Sequence, residues 1–444
     1  MTIYILILAL GLRLVLLNQS LWLDEAIEAL ALMGKKGPLL HYALGDYQPP
    51  LYHFIGYFFT HLFGYSEIAL RLPSLICGLL TVYFVIKIGE LFASRRAGII
   101  AGLLAATNPL LIYYSQEGRT YAMTAFFVTA SFYYFFQLLK TKKTLHYALY
   151  TSFTVLFLWT SYLSWLVFLF QGIVVISKKR FDILWFQLFS GLTLMAWLPS
   201  FFSSLAIGQS TRTNAPLWGV VVGGLTWKSL PLTWVKFVLG RITFTNKILY
   251  GAIVASVAAL HLFILAFVRS KRNLVLWGWL LLPIVLGIVI ASILPVYQYF
   301  RVLFVLPSYL VLLALGLNKF KNPWLTYLVL ALQLSALAIF WFTPSLHRED
   351  WRTLTADILK DPTSSIAMPS RAQDAPLRYY GLTQPIIEPS HEPVVGSKIY
   401  YIRYAEELFD TGKKGQTNLI SAGYTITSQR TYPGLAVDIY ENHN

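Results

Sequence analysis

The chain has 444 residues, 57% of them hydrophobic and only 12% charged. A soluble domain carries about a quarter charged residues, so a chain built mainly for water is excluded. Residues 1–343 hold 25 Lys and Arg against 8 Asp and Glu, and residues 344–444 hold 10 against 12. The net charge of +15 therefore belongs to the apolar part and reads as a topology signal, with no nucleic acid among the expected partners. A single cysteine, Cys77, excludes an intrachain disulfide.

Apolar runs of spanning character fall at 2–17, 68–92, 97–113, 119–139, 145–160, 162–177, 181–205, 247–268, 273–294, 299–317 and 323–343. No small-residue cleavage site follows the first run, which reads as a retained helix rather than a signal peptide. The short connectors "ASRR", "KTKK", "SKKR", "VRSKR" and "NKFK" occur at every second junction. The positive-inside rule turns them to the cytoplasm. The segment "PPLYHFIGYFFTHLFG" (49–64) is too short to span. It is expected to lie flat in the interface as an amphipathic helix opened by Pro49-Pro50.

Eleven spans follow, with two large loops outside: 18–67, and 206–246 with Trp218, Trp227 and Trp234 as an interfacial belt. From Pro344 the composition changes. "EDWRTLTADILKD" predicts a capped helix, and "KIYYIRY", "SAGYTITSQRTY" and "LAVDIYE" alternate like strands. The expected fold is thus an all-α polytopic membrane domain, 1–343, followed by a small extracytoplasmic α/β domain, 344–444.

Six of the eight acids in the first part, Asp24, Glu25, Glu28, Asp46, Glu67 and Glu117, fall at the outer face of this topology, and none falls at mid-span. An ion-coupled transporter usually places ionisable groups near the bilayer centre. Polar chemistry at the outer boundary suits a reaction on a lipid headgroup instead. In "LWLDEAIEALALMG", Asp24 reads either as a helix N-cap with Glu25 complementing the dipole, or as a general base held in an apolar-walled cleft. "GDYQPPLYH" adds Asp46, Gln48 and His53. Asp24, Asp46 or His53 would hold a divalent metal ion if one binds, but their spacing matches no metal motif.

"NPLLIYYSQEGRTYAM" brings Glu117, Arg119 and Tyr121. Glu117 and Arg119 read either as a mutually neutralising surface pair or as part of a phosphate site. Arg71 in "EIALRLPS" and Arg301 in "VYQYFRVLFVLPSYL" lie at comparable levels. Snorkelling explains any one of these arginines, and three at one level beside carboxylates favour a phosphate.

The blocks "LW-DEA", "D-QPPLYH", "LFGYSEIALRLPS" and "NP-LIYYSQEGRTYAM" resemble the N-terminal half of the polytopic GT-C glycosyltransferases. The branch is that of protein O-mannosyltransferases, lipid A aminoarabinose transferases and lipopolysaccharide-core sugar transferases. The likeness covers roughly residues 8–140 and continues loosely through "YQYFRVLFVLPSYLVLLALGL" and "REDWR".

The resemblance implies a bacterial, plasma-membrane enzyme of cell-envelope glycan biosynthesis. Such an enzyme moves a sugar from a polyprenyl-phosphate carrier, such as undecaprenyl phosphate, to a glycan, lipid or protein acceptor at the outer face, with inversion. It implies Asp24 as the catalytic acid residue of the first loop, with Glu25 its neighbour. Glu117 and Arg119 match the family's acidic-x-Arg element, and Arg71 and Arg301 fall near the lipid phosphate. Asp46, Gln48, His53 and Tyr121 would line the substrate site. Where many relatives carry His, Glu or Lys by the "PP" block, this chain has Gln48 and Pro49, which leaves the phosphate to arginines and leaves metal dependence open. Two alternatives remain at this point: a lipid-sugar flippase or transporter, and a non-catalytic glycan-binding receptor.

Overall fold

The computed structural model describes residues 1–214 and 223–442, and every expected apolar segment in it is helical. Contacts divide the chain into two compact units. The first comprises Met1–Leu17, Leu39–Gly64 and Ala69–Ile339; the second comprises Asn18–Pro38, Tyr65–Ile68 and Phe340–Asn444. The loop helix that carries Asp24 and Glu25 thus groups with the C-terminal segment.

The helices are α1 (Thr2–Leu14), α2 (Leu23–Leu32), α3 (Leu39–Gly45), α4 (Leu51–Phe63), α5 (Glu67–Phe92), α6 (Arg95–Thr107), α7 (Pro109–Ser115), α8 (Thr120–Leu138), α9 (Thr144–Leu158), α10 (Trp165–Ser177), α11 (Phe181–Leu192), α12 (Leu198–Asn214), α13 (Ser229–Leu239), α14 (Lys247–Leu265), α15 (Leu274–Ala291), α16 (Leu306–Leu317) and α17 (Trp324–Phe342). Among the described residues, five helical stretches are long and apolar enough to cross a bilayer, and a sixth is the bent pair α6–α7. The chain is a multi-pass membrane protein. Five of the other apolar helices, including α1 and α9, have 10–17 residues.

α4 is amphipathic, as its sequence requires. Tyr52, His53, Gly56 and Thr60 are buried, whereas Phe54, Tyr57, Phe58, Leu62 and Phe63 are exposed. Its 13 residues rise only about 20 Å, short of a hydrocarbon core.

The 59° break between α6 and α7 has a chemical cause. Pro109 cannot donate to the α6 ladder, and Asn108 caps α7 by accepting from the amides of Leu110 and Leu111. The carbonyls left open at the end of α6 are met by Arg13 of α1, which is fully buried. Its guanidinium donates to Ala105 O, Ala106 O and Ala9 O and to Ser115 Oγ at 3.1–3.3 Å. Gln116 returns the contact through Arg13 O at 2.8 Å. Four hydrogen bonds to one buried guanidinium fix where α7 ends and where the following loop begins.

In the second unit the C-terminal segment forms a five-stranded sheet of order β2-β1-β3-β5-β4. Its strands are β1 (Ser365–Ala367), β2 (Ile386–Ile387), β3 (Lys398–Ile402), β4 (Thr425–Tyr432) and β5 (Leu435–Glu441). β1 pairs in parallel with β2 and β3, and β5 pairs antiparallel with β3 and β4. Alternation along β3 and β5 splits the core. Tyr400, Ile402, Val437 and Ile439 join Trp351 and Leu354 of α18 (Trp351–Leu359). Ile399, Tyr401 and Tyr440 face the opposite side with Leu419. Asp350 caps α18 through the Thr353 amide, as the sequence predicts. The short β1 and β2 were not foreseen, because two or three residues carry no readable period.

Candidate functional site

In the first unit, Asp46 follows α3 and His53 lies in the first turn of α4. Their side chains pair at 3.0 Å, with His53 buried. The Tyr47 amide donates to the same carboxylate at 2.7 Å. Burial pushes the Asp46 carboxyl up. The hydrogen bond and charge of His53, the charge of Arg119 and the Tyr47 amide outweigh it, so the carboxyl stays below its ordinary range. Gln48, between Asp46 and His53, keeps its amide oxygen buried without a hydrogen-bond partner among the described residues.

Glu117 is 2% exposed, which removes the reading of a surface pair with Arg119. The Arg119 amide instead donates to Glu117 O at 2.8 Å, and Ser74 Oγ donates to Arg119 O. The 116–119 loop is thereby tied to both α5 and α1. Tyr121 packs edge-on against Tyr114 and Phe300. Arg71 is fully buried and donates to Leu17 O at 2.7 Å. Arg301 donates to Val296 O at 3.2 Å.

Two cations were missed by sequence reasoning. Asn108 Nδ2 donates to Phe237 O of α13 at 2.8 Å, and Gly240, at φ +66°, sits close against Pro109. These contacts fasten the second large loop onto α7 and bring Arg241 to Tyr113. The Arg241 guanidinium hydrogen-bonds the Tyr113 hydroxyl and lies 4.6 Å from the ring centroid. Tyr113 and then, against the cost of burial, Tyr299, Tyr114 and Glu117 raise its pKa. Arg241 is solvent-exposed along one side. Burial first and Arg241 second push the Lys236 ammonium down to about 8. The only sequence signal was "VKFVLGR", two bases in an otherwise apolar run.

A neighbouring cavity of about 180 Å³ is lined by Thr226, Ser229, Leu232, Tyr297, Gln298 and Tyr299. Of the expected tryptophan belt, Trp227 is 84% exposed, whereas Trp234 turns inward to Tyr309 Oη. Trp218 lies outside the described residues.

Asp24 and Glu25 belong to the second unit. Trp22, not Asp24, is the N-cap of α2, so Asp24 does not cap the helix, whereas both acids lie in its first turn, where they complement the helix dipole. Glu25 and Glu28 are fully buried. Arg348 lies 3.9 Å from Glu25. Among the described residues no group of three or more His, Cys, Asp or Glu forms a metal-holding set.

Residues 47–202 match the family model described as dolichyl-phosphate-mannose-protein mannosyltransferase. The fold is similar to the crystal structure of ArnT from Cupriavidus metallidurans in the apo state, with TM-score 0.58 and 12% identity over 98% of this chain and 97% of that one. The same protein bound to undecaprenyl phosphate gives 0.59 with the same identity and coverage. The archaeal oligosaccharyltransferase AglB from Archaeoglobus fulgidus, in complex with an inhibitory peptide and a dolichol-phosphate, gives 0.47 at 13% identity, over 89% of this chain and 61% of that one. No curated protein matches the sequence.

Proposed function

We propose, from the family-model match over residues 47–202 and the fold shared with ArnT, that this chain is a membrane glycosyltransferase of the GT-C kind. It transfers a sugar from a polyprenyl-phosphate donor to an acceptor hydroxyl at the outer face of the plasma membrane, with inversion. The supporting likeness is a fold shared along nearly its whole length with a protein crystallised with undecaprenyl phosphate. The observation that carries the reading is the Arg241 guanidinium set against Tyr113, with Lys236 feeling its charge, in the same unit as Arg119.

A sugar–phosphate ester already holds a good leaving group, so the demand on the protein is to stabilise charge growing on the phosphate. Arg241, Arg119 and Lys236 supply that charge, with Arg301 at the margin. Arg71, enclosed and bonded to Leu17 O, holds the backbone around them. The acceptor oxygen attacks the anomeric carbon from the face opposite the phosphate. The C1–O bond breaks with its electron pair going to the phosphate, and the hydroxyl proton passes to Asp24, with Glu25 beside it. If a divalent ion takes part, the Asp46–His53 pair offers two of its ligands, and no step above depends on one.

The test is purified protein with a panel of labelled polyprenyl-phosphate sugars and candidate acceptors. The reading expects acceptor-dependent release of polyprenyl phosphate and a product of opposite anomeric configuration. Transport of a donor without cleavage, or turnover of none, contradicts it.

A further inference from the structure

The buried carboxylates of α2 raise a physical question. Glu25 and Glu28 are both 0% exposed, and taking ionised carboxylates out of water is costly unless a counter-charge is built in. For Glu25 that charge comes from the far end of the sequence. Arg348 is buried, with its Nε 3.9 Å from Glu25 Oε2.

The same stretch grips the backbone that leads into α2. The Arg348 amide donates to Gln19 Oε1 at 3.1 Å and the Arg352 amide to Ser20 Oγ at 3.2 Å. Arg352 also donates to Asn18 O, and to Glu67 Oε1 at 2.6 Å. The Leu21 amide donates to Tyr380 Oη at 2.8 Å, and that hydroxyl donates to Glu67 at 2.9 Å. α2 itself packs on the helix Ala375–Tyr379.

A second side chain feels the charge of the other acid. Tyr404, just beyond β3, hydrogen-bonds Glu349. Burial and then the charges of Glu349 and Asp24 raise its hydroxyl pKa. It is therefore a neutral hydroxyl that hydrogen-bonds Glu349, near enough to Asp24 to feel its charge.

We infer that Arg348 and the Glu349–Tyr404 pair are positioning residues for the carboxylates of α2, which makes the C-terminal α/β domain part of the machinery that aims Asp24 and Glu25. Long-range pairing explains why the "REDWR" block stands where it does. Its arginines clamp residues 18–20 and neutralise Glu25, while its tryptophan, Trp351, is fully buried in the core of the sheet domain. A carboxylate aimed by residues that do not touch substrate loses rate when they are altered, because misplacement of about 1 Å can cost roughly a hundredfold.

This inference rests on the glycosyltransferase reading, so its test has two readouts. In the full-length protein, Arg348→Met and Tyr404→Phe are compared with wild type by sugar transfer and by amide hydrogen exchange over residues 22–33. The expected result is a tenfold to hundredfold fall in kcat with donor KM changed less than about twofold. Faster exchange across α2 should accompany it, and Arg348→Lys should recover part of both. Tyr404→Phe removes one hydroxyl and remains informative if Arg348→Met fails to fold. Unchanged exchange over α2 in Tyr404→Phe and in the foldable arginine variants overturns the positioning role, as does an unchanged kcat in an active protein. If no donor is turned over yet exchange rises as expected, the glycosyltransferase reading falls while the clamp on α2 stands.

Discussion

His53 Nε2 lies 3.0 Å from Asp46 Oδ2, with the histidine closed off from solvent. The carboxylate is held charged by this pair and by Arg119. Asp46→Asn should therefore lower thermal stability in detergent by about 1–3 kcal/mol, the cost of a lost hydrogen bond to a charged partner. Because the folded carboxyl sits below its unfolded value of 3.8, this stabilisation is complete above that pH. It fades as pH falls through the folded value. Melting wild type and variant from neutral to acidic pH checks the sign: the gap should narrow only at the acidic end.

Lys236 gives the opposite pH dependence. Its ammonium, near 8 beside Arg241, is mostly protonated at pH 7 and loses its charge as pH rises through 8. A phosphate ligand with that behaviour makes kcat/KM for the donor decline above pH 8. Lys236→Arg should flatten the alkaline limb, and Lys236→Met should raise donor KM at every pH. Initial rates from pH 6 to 9.5 measure all three.

Arg13 is expected to matter for folding far more than for chemistry. Replacing it with Met strands the Ala105 and Ala106 carbonyls, each worth roughly 1–3 kcal/mol when buried and unpaired. It also loosens the bend that delivers Glu117. A lower melting temperature is expected, with Arg13→Lys intermediate because one ammonium cannot reach the four acceptors met at 3.1–3.3 Å.

Gly78 tests the same junction from the other side. A Cβ there would collide with Ser115 Oγ, so Gly78→Ala should cost about 1–3 kcal/mol through overpacking. Ser115→Ala should relieve part of that cost. A double-mutant cycle on unfolding free energy reads the coupling.

Much of this architecture was open to reading because apolar runs and basic connectors are local signals. The expected apolar runs from 2–17 to 323–343 are mainly helical, five or six of them long and apolar enough to cross a bilayer among the described residues, and the strands around Tyr400, Ile426 and Val437 follow from alternation. What the sequence hid was long-range pairing. Nothing local in "NQSLWLDEA" shows that Gln19 and Glu25 meet Arg348, and hydropathy alone draws a boundary at 343 that takes no account of the grouping of residues 18–38 with the tail. Arg241 was hidden for a related reason. Its setting beside Tyr113 and near Glu117 follows from the Asn108–Phe237 contact, which no spacing rule encodes.

The most direct measurement is kcat for Asp24→Asn against wild type with a competent polyprenyl-phosphate sugar, in protein shown to be folded by its melting transition. Loss of the general base predicts a fall of about a hundredfold to ten-thousandfold with donor KM nearly unchanged. Transfer at the wild-type rate would contradict the assignment of proton removal to α2.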